Sequence, residues 1–130
     1  MTREILCKAK RKDNGEWVEG GYFSEPYTDK KYIVRWNSFG IGFNEFIEVN
    51  PDTLCQYTGL TDKNGQKIWE NDIVRNEKGD IGVVQWFEEH AAFMIWNKTK
   101  NCVCYLAEND FSKIEVIGNI FDNADLLEVE

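Results

Sequence analysis

A chain of 130 residues, 42% hydrophobic and 14% aromatic, can bury a core without disulfides or metal and is too apolar to stay disordered. Its 15 basic and 23 acidic side chains leave a net charge of −8, unevenly spread: residues 1–57 carry 8 basic and 9 acidic groups, residues 58–130 carry 7 and 14. An acidic second half repels phosphate and disfavours a general nucleic-acid binder, while the absence of an apolar run of signal-peptide or membrane-span length predicts a cytoplasmic chain with no membrane role.

In chain order, residues 4–11 read as a strand, with Ile5, Cys7 and Ala9 alternating against Glu4, Lys8 and Lys10. Asp13-Asn14-Gly15 supplies hairpin-turn chemistry, and residues 16–23 return, with Gly20-Gly21 marking a bulge or bend. A second hairpin pairs residues 31–36 with 43–49 across the linker 37–42. Tyr32, Val34 and Trp36 share one face there and Ile33 and Arg35 the other. Asn50-Pro51-Asp52 ends it. Residues 53–57 form a short strand leading into Gln56 to Arg75, the stretch around which the chain is organised. There Thr58-Gly59 reads as a turn, and Asp62-Lys63-Asn64-Gly65 as a tight turn with Asn64 and Gly65 at positive φ. Further strands are expected at residues 73–75, 81–87, 91–96, 102–106 and 114–120, and one helical turn at 122–128 with Asp122 as its N-cap.

Short strands at this spacing, with no sustained helical period, predict an all-β, mainly antiparallel fold. Residues 1–55 form an N-terminal β-hairpin unit and 56–75 a connecting turn and hairpin. Residues 71–130 form a unit resembling the small SH3-like barrels, with Gly82 where the sheet bends.

Two segments carry a more specific resemblance. Gln56-Tyr57-Thr58-Gly59-Leu60, Asp62-Lys63-Asn64-Gly65 and Ile68-Trp69-Glu70-Asn71-Asp72-Ile73-Val74 closely resemble the hallmark run of the YopX family of small bacteriophage and prophage proteins. Trp69 stands where that family usually has a smaller aromatic, and Asn71 where it usually has Gly. Asn tolerates positive φ next best, so the turn is expected to persist. Residues 115–127, with Gly118-Asn119-Ile120-Phe121-Asp122-Asn123, resemble the family's closing run, with Ala124 where Pro is common. The resemblance implies a phage-encoded, mostly β protein. It implies no catalytic activity and no cofactor.

The chemistry-bearing residues point the same way. Asp62, Glu70 and Asp72 lie close together in sequence, but Asp62 and Asp72 are read as tying down turns through side-chain to backbone hydrogen bonds rather than as part of a metal or acid–base site. His90 is the single histidine, and Cys7, Cys55, Cys102 and Cys104 lack metal-ligand spacing, so four reduced thiols and no metal are expected; Cys102 and Cys104 share a strand face, a common place for small core residues. Of five tryptophans, Trp69 and Trp86 are the candidates for a partner-binding surface, placed at a turn or strand edge. The expected activity is therefore protein–protein contact with a host or phage protein, without enzymatic chemistry, and exposed strand edges allow a homo-oligomer. One alternative is a single-stranded nucleic-acid module using Lys8, Lys10, Arg11 and Lys12 with exposed tryptophans. Another is an acidic DNA mimic. The hallmark stretch itself is read as structural, through turns at Gly59, Asn64, Gly65 and Asn71.

Overall fold

The computed structural model describes residues 5–36 and 44–128; the expected linker 37–42 and Glu4, the first residue of the first expected strand, lie outside them. The fold is all-β and antiparallel, with eleven strands and five short 3-10 turns among the described residues. No helix among them is long and apolar enough to cross a membrane. The chain divides between Tyr57 and Thr58 into two compact units.

In the first unit, β1 (Cys7–Lys10), β2 (Trp17–Ser24), β3 (Lys31–Trp36) and β4 (Asn44–Val49) form a meander. β1 also pairs with β5 (Cys55–Thr61), through Cys55 and Gln56. The sheet curls until Arg11 bridges Val49 and the Lys12 N–H reaches the Glu48 carbonyl at 3.1 Å. Alternation decides what goes inside. Ala9, Val18, Ile33, Ile47 and Val49 pack with Cys7 and Leu54 into one core, each larger side chain contributing roughly 1.5–3 kcal/mol on burial.

The second unit begins within β5, beside which lies β6 (Lys67–Trp69); the Thr58 hydroxyl donates to the Ile68 carbonyl at 2.7 Å. Then come β7 (Asp72–Arg75), β8 (Ile81–Phe87), β9 (Ala92–Asn97), β10 (Cys102–Tyr105) and β11 (Glu115–Asn119), in the sheet order β10-β9-β8-β7-β11. This is an open ladder whose edges are β10 and β11. Its core is Ile68, Val74, Val84, Ile95, Leu106 and Ile114. Gly82 faces β9 so closely that a Cβ there would lie 2.9 Å from the Trp96 carbonyl oxygen.

Three local expectations are corrected. Asn64 does not adopt positive φ; only Gly65 does (φ 76°) in a turn closed by the Gly65 N–H to the Asp62 carbonyl at 3.0 Å. One residue in the left-handed region suffices when the preceding ones turn right-handed. Asp122 caps no helix. The closing 3-10 turn is Ala124–Leu127, and Asp122 accepts instead from the Asn119 side chain at 3.2 Å. Cys102 is exposed rather than in the core, because β10 is a sheet edge.

Candidate binding surface

The hallmark stretch is held together by carboxylates. The buried Asp62 accepts the N–H of Asn64 and of Gln66 on Oδ1, both at 2.9 Å, and the N–H of Val116 on Oδ2 at 2.9 Å. Its own N–H bonds the Gln66 carbonyl, and the Lys63 N–H bonds the Ile114 carbonyl. Burial works against ionisation of Asp62, but the N–H groups of Val116, Gln66 and Asn64, with Lys63, outweigh it and hold the carboxyl below its ordinary range. Asp72 is buried too, and accepts the Trp69 N–H at 2.8 Å. Asn71, at φ 72°, donates to the Val84 carbonyl at 2.7 Å and accepts from the Ile120 N–H at 3.0 Å. Gly59 also has positive φ.

The turn at residues 76–80 repeats the design. Asn76 Oδ1 accepts the N–H of Lys78 and of Asp80 at 3.0 Å, the Gly79 N–H closes on the Asn76 carbonyl, and Gly79 has φ 84°. Asp80 then takes the side chains of Asn76 and Asn97 at 3.3 Å and Lys100 at 3.4 Å. These groups line part of a shallow polar hollow of about 310 Å³ with Asn109 and Lys113. The hollow's carboxylates are engaged: Asp80 by these groups, and Glu77 and Asp110 by Lys113 at 3.5 and 3.9 Å. His90 Nδ1 lies 3.3 Å from Tyr105 Oη, and Cys104 Sγ lies 3.7 Å from Asn109 Nδ2.

The two tryptophan candidates part company. Trp86 is 44% exposed and meets Phe93 edge-on at 5.2 Å. Trp69 is only 5% exposed and is withdrawn from the surface: the turn after it is drawn inward by the Asn71 bonds to Val84 and Ile120. The basic cluster is largely neutralised or covered. Arg11 forms a two-pronged pair with Asp13 at 2.8 and 2.9 Å, and Lys12 reaches Glu48 at 3.3 Å. Lys8 and Lys10 sit over the Trp17 ring, 4.6 and 5.5 Å from its centroid.

Sequence reasoning missed an exposed aromatic group. On the face of the first unit opposite its core, Phe23, Tyr32 and Phe46 contact one another with ring centroids 5.8–6.3 Å apart. Phe23 is 40% and Phe46 55% exposed. Beside Phe46 runs an open groove of about 350 Å³ whose rim carries Arg11, Lys12, Asp13, Glu45 and Glu48. The signal was present in the sequence: Ile33 enters the core from one face of β3, while Tyr32 and Val34 make the opposite face apolar, so that face had to meet something other than this core.

A family model described as YopX protein matches residues 8–128. Among solved structures, the crystal structure of protein EF1440 from Enterococcus faecalis is similar over 98% of this chain and 100% of that one, at 23% identity and a TM-score of 0.60, a likeness of fold. No curated protein matches the chain.

Proposed function

The chain belongs to the YopX family, and on that footing we propose that it is a non-enzymatic accessory protein of phage origin that binds a host or phage protein in the bacterial cytoplasm through the aromatic face of its first unit. The observation that carries this reading is the Phe23–Tyr32–Phe46 group, three rings held against one another on a sheet face, two of which, Phe23 and Phe46, are substantially exposed. Contiguous exposed aromatic surface rimmed by charge is the composition of a protein interface: the rings supply anchor area at low entropic cost and the rim sets register. The paired charges beside Phe46 supply that rim. Trp86 with Phe93 is a second, smaller contact of the same kind. The sheet order β11-β7-β8-β9-β10, with 3-10 turns at Leu106–Glu108 and Phe111–Lys113 before the last strand, supports reading the second unit as SH3-like.

The test is capture from infected or lysogenic cells with the wild-type chain and with a Phe23→Ser/Phe46→Ser variant of equal thermal stability. A protein retained by the wild type and lost by the variant supports the reading. No specific protein, or one retained equally by both, overturns it.

One observation favours the nucleic-acid reading as the runner-up: Lys8 and Lys10 over Trp17 place two cations on an aromatic ring. That reading predicts salt-dependent binding of an oligonucleotide that Trp17→Ala abolishes. A flat anisotropy titration at low salt removes it.

A further inference from the structure

We propose that β10 of the second unit pairs antiparallel with β10 of a second copy of this chain, joining two five-stranded sheets across a two-fold axis. The inference is independent of the aromatic face. The two edges of this sheet are treated differently. β11 is covered by the Asp62 turn, which takes the Val116 N–H on its carboxylate and the Ile114 carbonyl on the Lys63 N–H, and its register is broken between Val116 and Gly118. Among the described residues, β10 is covered by a side chain at its last residue, where the Asn109 amide donates to the Tyr105 carbonyl at 2.9 Å, and not along its length. Its four residues, Cys-Val-Cys-Tyr, include no charge and no proline, the devices that ordinarily keep edges from pairing. Val103 is 44% and Tyr105 38% exposed. The edge in the first unit offers a contrast: β4 carries Glu45, paired to Arg35 at 2.6 Å, and Glu48, paired to Lys12.

Charge selects the partner and its direction. The turn before β10 carries Lys98 and Lys100, the second of which is already paired to Asp80 of its own chain at 3.4 Å. At its other end stand Glu108 and, brought there by the His90–Tyr105 contact, Glu88 and Glu89 of the Glu88–His90 turn. Antiparallel pairing of two copies sets the Lys98 end of each β10 against the carboxylate end of the other; parallel pairing would bring like ends together. An isologous two-fold contact has this self-complementarity. The net charge of −8 opposes approach of two copies at long range. With only four residues pairing, the contact belongs at the small end of interfaces, so the dimer forms with concentration.

Sedimentation of the full chain tests this. The average mass is expected to rise with concentration from 15.2 kDa toward twice that value, and Val103→Lys, on an exposed side chain, is expected to remain monomeric. A short bismaleimide is expected to link two wild-type chains through the β10 thiols. The link should disappear in Cys102→Ser/Cys104→Ser and persist in Cys7→Ser. Should Val103→Lys lower thermal stability, Glu88→Lys/Glu89→Lys reads the same contact through charge, weakening association about tenfold at low salt. A mass fixed at the monomer value, a dimer indifferent to both the Val103 and the Glu88/Glu89 changes, or a cross-link that survives loss of both β10 cysteines overturns the proposal.

Discussion

Residues 62–66 and 76–80 of the second unit form the same turn with different chemistry. In both, the first side chain accepts the N–H groups two and four residues on, and a glycine at positive φ sits fourth. Asn76 has one amide oxygen, spent within its own turn; its NH2 goes to Asp80. Asp62 has a second carboxylate oxygen, which holds the Val116 N–H 54 residues away. The comparison teaches that a carboxylate at this position does two jobs, shaping the turn and tying it to β11. It also explains how a family hallmark can be rich in acids, glycines and aromatics without being a catalytic centre.

The largest consequence falls on Asp62. Asp62→Ala leaves three N–H groups without their acceptor at a buried site and is expected to lower stability by about 3 kcal/mol or more in urea unfolding. Glycine should not distinguish the two turns. A Cβ at Gly65 or Gly79 meets nothing within 4 Å, so only the backbone opposes it. Gly65→Val and Gly79→Val are each expected to cost about 1–2 kcal/mol, and a much larger loss at one of them would break the equivalence. Asn76→Ala, at a half-buried site where water can replace the lost acceptor, is expected to cost about 1 kcal/mol. The finest distinction is in pH. Unfolded, Asp62 takes its proton near the ordinary carboxylate value of about 3.9. Folded, it does so only at lower pH. Its contribution is therefore complete above the ordinary value and is lost as pH falls through the folded one. Wild type should lose stability more steeply on acidification than Asp62→Asn, and superimposable pH profiles would show that the carboxylate's charge is not what matters.

Much of this was legible in sequence because strands announce themselves by alternation and turns by Gly, Asn and Asp. The β1–β2 hairpin, the Asp62 turn and the turn-tying roles of Asp62 and Asp72 follow from local chemistry. So does the positive φ of Asn71, which keeps the backbone shape of a position where the family usually has Gly. What was not legible depended on distant partners. Trp69 is adjacent to a turn, and only the long-range bonds of Asn71 to Val84 and Ile120 show that this turn lies inward. Asp122 looked like a cap because it precedes a short helical pattern. The Asn119 side chain instead accepts the Phe121 and Asp122 N–H groups, and a Cβ on Gly118 would come within 2.6 Å of the Asn123 side chain. The Phe23–Tyr32–Phe46 group was hidden because its members come from three strands, and their meeting is a matter of register.

The Asp62–Val116 bond also has a kinetic meaning. Bringing residues 54 apart together, and pairing β11 with β7 across some 40 residues of intervening chain, requires loop-closure entropy to be lost before any contact compensates it. The β7–β8–β9–β10 meander can form from neighbours, while β11 and the Asp62 carboxylate must wait for each other. On a ribosome the second unit stays open until residue 116 has emerged. Until then β7, which β11 later covers, is an unpaired edge of the growing sheet.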